Sequence, residues 1–324
     1  MEAEDSTKPS EGEESNTTEE ASCKIESGKY GEYPFDPAVH IKTPEPTPEE
    51  KEKIKELRSL LEDFPPYHNH IEWADDIQLQ RFLIARNYRM KDSLELIKSA
   101  LKWRDFRKPA EIESHPNFPD NMRRESETGK IYSPGHDKWG RTVLILDNTV
   151  ENTKSVDDQM TFLAWNLEYA IKRMPPNIDK YLVFMHLTNF SFFNTPPLSS
   201  TKETIHMVCS CFPERLGHCI VYQPPTVFRV FFNTVKGFLD PKTANKMIFL
   251  SGDMSDGSEN DLRMRELIGD NWKQLTGAEQ PLLAPLSSPG YDHGKHWENV
   301  MRNLEELKLK EGESSKATST KEEN

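Results

Sequence analysis

Apolar positions along this chain follow two different periods. Between residues 47 and 106 they recur at helical spacing. Thr47-Pro48-Glu49-Glu50 supplies an N-cap, a proline at the first helical position and first-turn acids. Ile54, Leu57, Leu60, Leu61 and Phe64 then fall on one face until Pro65-Pro66 stops the pattern. A second helix is predicted over residues 75–86 with Ile77, Leu79, Phe82 and Leu83 inward. A third spans 91–106 and carries Leu94, Ile97, Leu101 and Trp103 or Phe106. Beyond residue 130 short apolar runs take over, at 142–146, 181–187, 219–222 and 247–250, and read as buried strands. Helix signals lie between them. Ser155 precedes Met160, Leu163, Leu167, Ala170 and Ile171; Ser200 with Glu203 reads as a capping box before Ile205, Val208 and Cys209; Thr226 opens a third helix. Strands alternating with helices predict a largely parallel, twisted sheet, with Ile131-Tyr132 pairing onto 142–146 through a turn at 137–140.

Composition adds the ends. Residues 1–45 are rich in Glu, Ser, Thr and Pro and are expected to be a disordered acidic tail, and residues 308–324, of Lys, Glu, Ser and Thr, are expected to be disordered too. The ordered part divides into a helical lobe (46–108), a sheet domain (109–285) and a helical extension (286–307). Net charge is −13, and no Lys/Arg run offsets it, which disfavours nucleic acid as a partner. Four cysteines (Cys23, Cys209, Cys211, Cys219) are too few for a disulfide framework in a chain of 324 residues. The acidic start lacks a secretory signal, and the longest uncharged run, residues 181–201, holds Asn189, Asn194, Pro196 and Pro197. A reduced, cytoplasmic protein, at most peripheral on membranes, is expected.

Enzyme motifs are absent. There is no G-x-G, no G-x-S-x-G and no H-E-x-x-H. Residues 135–142 (GHDKWGRT) have phosphate-loop glycine spacing, but Arg141 stands where lysine is needed and a strand follows, so a hairpin turn is expected. His206, Cys209, Cys211, His218 and Cys219 are close in sequence. Cys209 and Cys211 would face about 200° apart on a helix, so buried thiols are expected rather than a metal. His68, His70, His293 and His296 are expected at the surface. No cofactor is expected.

Residues 226–239 (TVFRVFFNTVKGFL) stand out. Val227, Phe228, Val230, Phe231, Phe232, Val235, Phe238 and Leu239 cover an arc of roughly 200°, about twice the stripe of a surface helix. Either this is a deeply packed core helix, or it is a lid whose phenylalanines line a cavity or meet lipid, with Arg229 and Lys236 facing anionic headgroups.

Three ordered stretches resemble the CRAL-TRIO lipid-transfer family, and within it the fungal secretory phosphatidylinositol/phosphatidylcholine transfer branch. The first is residues 75–86 (DDIQLQRFLIAR) with Lys102-Trp103-Arg104. The second is residues 137–143 (DKWGRTV). The third is residues 213–217 (PERLG) followed by Pro224-Pro225 and residues 238–246 (FLDPKTANK). The resemblance covers about residues 47–285. It implies an α/β fold, a small N-terminal helical lobe plus a largely parallel sheet flanked by helices, forming a lipid cavity closed by a gate helix. The gate falls on Val227, Phe228, Phe231, Phe232 and Val235.

The family's phosphoinositide-headgroup positions fall on Arg86, Glu214, Thr243 and Lys246. Their chemistry suits a phosphodiester: a guanidinium grips two oxygens, an ammonium adds charge, a hydroxyl adds a directed bond, and Glu214 would hold the cations in place. The alternative for these residues is an ion-pair network that merely ties the lobe to the sheet. Two positions depart from the family pattern. Asn87 replaces a second basic residue, which weakens the expected clamp. Tyr181 and Val183 replace small hydroxyl residues on the central strand, which argues against choline recognition. The expected function is non-enzymatic: binding a phospholipid, phosphatidylinositol by resemblance, and moving it between membranes. Expected partners are that lipid, a second lipid left open, a membrane met transiently and, as a candidate, a lipid kinase; the expected state is a monomer. A carrier of a sterol or isoprenoid, and a membrane-docking interaction module without transfer activity, remain the competing readings.

Overall fold

The computed structural model describes residues 36–322. The chain enters through a short helix, α1 (Pro37–His40), and builds the lobe from α2 (Pro48–Ser59), α3 (Pro65–His68), α4 (Asp76–Ala85) and α5 (Met90–Arg107). Thr47 and Glu50 close a reciprocal capping box at 2.8 and 3.3 Å, and Asp75 accepts the Gln78 amide at 2.7 Å. The inward faces meet in one cluster that includes Leu57, Leu79, Phe82, Leu83, Ile97 and Leu101. Leu60 and Ile77, expected inward, are exposed; at the end of α5, Trp103 is buried and Phe106 faces out. Helix α2 stops at Ser59, before the Pro65-Pro66 expected to end it; those prolines instead open α3, since proline suits a first helical turn.

Residues 36–45 correct the tail expectation. They lie along the sheet domain: the His40 ring stacks on His218 at 4.0 Å, the Thr43 amide donates to Asp179 Oδ1 at 3.1 Å, and the Asp179 amide donates to the Ile41 carbonyl at 3.1 Å. Long-range contacts of this kind leave no trace in local composition. Residues 1–35 of the expected tail lie outside the described residues.

After α6 (Phe118–Ser126), β1 (Ile131–His136) and β2 (Thr142–Leu146) form the expected hairpin, with Ile131 opposite Leu146. Asp137 Oδ1 accepts the Trp139 and Arg141 amides at 2.9 Å each, and Gly140 takes the positive φ of 84° that the turn requires. Then α7 (Val156–Lys172), capped by Ser155, leads to β3 (Tyr181–His186), and α8 (Leu198–His206) leads to β4 (Leu216–Tyr222). Next come α9 (Thr226–Val235), α10 (Pro241–Asn245) and β5 (Met247–Leu250). The sheet order is β1-β2-β3-β4-β5, antiparallel at the first pair and parallel thereafter. The α8 start differs from expectation. Pro197 stands at the N-cap, its carbonyl accepts the Thr201 amide at 3.0 Å, and Ser200 is buried one turn inside.

Alternation along the strands divides the sheet's two faces. Val143, Ile145, Leu182, Phe184, Ile220 and Ile248 pack under α11 (Glu259–Leu267) and α12 (Trp272–Thr276). Leu144, Tyr181, Val183, Cys219 and Met247 point the other way, toward α7 and α9. The last helix, α13 (His293–Glu322), packs Trp297, Val300 and Leu304 on that second face; its backbone continues past residue 307, where composition put a tail. His296, expected at the surface, is half-buried with its ring 5.3 Å from Tyr291 and 5.8 Å from Tyr132, and burial pushes its pKa down to about 4.

Candidate functional site

The second face of the sheet is the floor of a cavity of about 650 Å³, a size typical of small-molecule sites. Leu144, Val183 and Met247 form part of that floor, Leu163 of α7 and Val208 belong to the walls, and α9 supplies Phe228, Phe231, Phe232 and Val235. Of the five expected gate residues, these four line the cavity. Val227 packs on the neighbouring core instead. Phe228 and Phe232 are buried with their rings 6.1 Å apart, and Phe232 meets Phe249 edge-on at 5.2 Å; Phe231 is half-buried. The helix thus both lines the cavity and packs on the core, because its arc is wide enough for two surfaces. Val230 and Phe238, at the outer edge, are exposed.

The four headgroup candidates all line this same cavity. Arg86 is the C-cap of α4; Thr243 lies in α10 and Lys246 is its C-cap; Glu214 precedes β4 with φ 56°. Lys246 Nζ donates to Glu214 Oε2 at 3.4 Å, and Arg86 lies 3.7 Å from Asp240 Oδ2. Asp240 in turn accepts the Lys242 amide at 2.8 Å, which starts α10. Burial would raise the Glu214 carboxyl, but the ammoniums of Lys246, Lys180 and Lys242 hold it below the ordinary carboxylate range. Asn87, adjacent to Arg86, is exposed at φ 51°, a left-handed position that asparagine tolerates well.

Lys180 was not singled out by any motif. It is buried beside Glu214, donates to the Glu214 carbonyl at 2.7 Å and to Thr43 Oγ1 at 3.4 Å, and lies 3.7 Å from Glu214 Oε2. Burial pushes its ammonium down to about 8, with Asp179 and Glu214 opposing. Its only sequence signal was a charge at the start of an otherwise apolar strand. Lys130 was also missed. It lines the cavity and is held by Glu125 at 2.5 Å, Glu151 at 2.6 Å and Thr153 at 2.9 Å.

Tyr181 and Val183 both line the cavity, as the strand alternation requires, so the central-strand surface offers a phenol and an isopropyl group. Cys209 lies on a π-helical turn (Met207–Cys211) that ends α8, lines the cavity and donates to Thr243 Oγ1 at 3.9 Å. Cys211 and Cys219 are buried, and burial pushes both thiols up to about 12. Among the described residues, no group of three His, Cys, Asp or Glu side chains is placed to hold a metal, and no helix is long and apolar enough to cross a membrane.

Residues 126–266 match the family model of the CRAL/TRIO domain. A CRAL-TRIO domain-containing protein of Schizosaccharomyces pombe is 28% identical over 216 residues, an alignment covering 63% of this chain and 21% of that protein. The phosphatidylinositol transfer protein PDR17 of Saccharomyces cerevisiae is 24% identical over 250 residues, covering 74% of this chain and 65% of that one. The SEC14 cytosolic factor of Kluyveromyces lactis is 28% identical over 221 residues, covering 62% and 70%. The chain therefore spans about a fifth of the first of these relatives and just under two thirds of the second. The crystal structure of Sfh5 shares the fold, with a TM-score of 0.53 at 13% identity over 82% of this chain and all of that one.

Proposed function

We propose that this chain, whose residues 126–266 match the CRAL/TRIO domain, takes one phospholipid, phosphatidylinositol, into the cavity and carries it between membranes. The observation that carries this reading is the junction of two surfaces. An apolar chamber closed by Phe228, Phe231 and Phe232 opens onto the cluster of Arg86, Glu214, Thr243 and Lys246. Acyl chains leave a bilayer for surroundings of similar apolarity, so transfer is nearly neutral and lid motion sets the rate. At the headgroup, Arg86 and Lys246 supply charge-assisted donors, Thr243 a hydroxyl, and Glu214 an acceptor for inositol hydroxyls as well as a counter-ion. Nothing in the cycle breaks a covalent bond. The protein would work in the cytoplasm, touching membranes only to load and unload, as a monomer whose cargo could serve a lipid kinase.

Mass spectrometry of lipid co-purifying with the full chain tests the reading. Phosphatidylinositol as the bound lipid is the expected result. A sterol or isoprenoid in its place overturns the headgroup assignment, and a protein that carries no lipid and moves none between vesicles overturns transfer altogether.

A further inference from the structure

Two consecutive aromatic side chains stand in solvent beside the cavity. Phe192 is 77% exposed and Phe193 102%, in a single 3-10 turn between β3 and α8. The turn is firmly built. The Ser191 amide donates to Asn194 Oδ1 at 2.7 Å, Asn194 Nδ2 to the Asn189 carbonyl at 2.9 Å, and Thr195 Oγ1 to the Ser191 carbonyl at 2.8 Å. Phe190 anchors its base to the gate, with its ring 5.2 Å from Phe228 and 5.7 Å from Phe231. Leu198 at the start of α8, Val230 on α9 and Phe238 just beyond α9 are further exposed apolar side chains on the elements beside the cavity, and Lys202 lies over the Phe238 ring at 4.5 Å. Phe193 is exposed and also lines the cavity, so rim and chamber share a wall.

We propose that the Phe192–Phe193 turn is a membrane-inserting lip that seats the cavity mouth on an anionic bilayer. The occupant is a lipid surface because of charge and continuity. Residues 187–206 and 225–239 hold three cations, Lys202, Arg229 and Lys236, against one acid, Glu203, within a chain of net charge −13. Glu203 is already engaged by Arg107 at 3.0 Å. The rim is thus a basic, apolar zone on an acidic protein, which suits an interface with anionic headgroups above and acyl chains below. An apolar lip running directly into an apolar chamber also gives an acyl chain a path that avoids water. Holding the two rings in a hydrogen-bonded turn removes the ordering cost that a flexible loop would carry on insertion. This proposal rests on the lipid-carrier reading above, and its test separates the two.

The test uses the full chain with Phe192→Ser and Leu198→Ser combined, neither of which lines the cavity. Sedimentation with vesicles of phosphatidylcholine plus phosphatidylserine should show binding weakened by roughly tenfold or more. Melting temperature and co-purified lipid should be unchanged. A Phe193→Trp protein should show fluorescence quenching by vesicles of brominated phosphatidylcholine with phosphatidylserine. Unweakened binding or an unquenched tryptophan overturns the lip. Light scattering that finds a wild-type dimer dissociated by the double substitution also overturns it, by making the patch a self-contact. A wild type that carries no lipid and moves none between vesicles defeats the carrier reading, while the sedimentation and quenching measurements still decide the lip.

Discussion

Lys180 Nζ donates to the main-chain carbonyl of Glu214 at 2.7 Å, pinning a residue whose backbone stands at φ 56°. A glutamate in the left-handed region is held there at a cost, and the buried ammonium both fixes that geometry and shares the carboxylate with Lys246. Lys180→Met should therefore weaken phosphatidylinositol binding although Lys180 is not among the cavity-lining residues, with a stability loss of about 1–3 kcal/mol from the Glu214 carbonyl left without its donor, since Lys246 and Arg81 still pair the Glu214 and Asp179 carboxylates. Binding measured at a temperature well below the shifted transition, alongside a denaturant titration, separates the two effects. Unchanged affinity in a folded variant would mean that Glu214 needs no such support.

Arg86 and Lys246 should respond differently to truncation. The Arg86 side chain is a quarter exposed and its carboxylate partner is 3.7 Å away, whereas Lys246 is buried against Glu214. Arg86→Ala should lower phosphatidylinositol transfer severalfold with an unchanged melting temperature, since loosely held surface pairs contribute under about 1 kcal/mol. Lys246→Ala should lower both. Wild-type transfer by both proteins would leave the ion-pair-network reading of this cluster standing.

Phosphatidylcholine should be a poor cargo. Tyr181 is buried on the central strand and faces the cavity with Val183, so the wall presents bulk and an isopropyl group where small hydroxyls would be needed. Replacing both, Tyr181→Ser with Val183→Thr, should raise transfer of labelled phosphatidylcholine between vesicles above that of the wild type. Efficient wild-type transfer of that lipid would show that its headgroup is recognised elsewhere in the cavity.

Stability should fall as pH drops below about 6.5. His218 is buried, and desolvation followed by the charges of Arg141, His40, Lys246 and Arg263 pushes its pKa down to about 2; desolvation takes His296 to about 4. Between the unfolded value near 6.5 and those folded values, the unfolded chain binds protons that the folded chain refuses, so acid favours unfolding. Each ring contributes at most about 1.4 kcal/mol per pH unit in its window. Below about 4.5 the depressed Glu214 and Asp179 carboxyls act in the same direction. Thermal melts at about pH 7 and about pH 5 should differ by several degrees, and His218→Gln, which keeps an acceptor for Arg141, should narrow the gap. Identical melting temperatures at the two values would exclude a cost for charging these rings.

The strands were legible because they are uninterrupted apolar runs bounded by turn residues, and α2 and α4 of the lobe because Thr47 and Asp75 cap them in sequence-local fashion. Ser200 misled because a box motif cannot reveal that Pro197 starts the helix a turn earlier. Arg86, Glu214, Thr243 and Lys246 came from resemblance, and the fold brings all four to one cavity. Lys180 and the stacking of His40 on His218 were invisible because both depend on contacts across long sequence separations. The pair Phe192-Phe193 was in plain view in the sequence, yet without a period around it nothing marked the two rings as exposed.

The gate helix offers the sharpest separation of lid from core, provided the right phenylalanine is changed. Phe232 is buried and meets both Phe228 and Phe249, so a charge there should collapse the local packing whatever the helix does in function. Phe231 is half-buried, faces the cavity and touches Phe190 at the base of the lip. Phe231→Asp should therefore abolish most transfer while shifting the unfolding free energy by only about 1–2 kcal/mol, since a carboxylate at a partly solvated position keeps much of its hydration. Phe232→Asp should instead cost more than about 3 kcal/mol, as buried charges without partners do. Paired denaturant melts and vesicle-transfer assays read both quantities. Equal, large losses of stability at the two positions would mark α9 as an immobile core helix, and full transfer by a folded Phe231→Asp protein would remove the helix from the transfer mechanism.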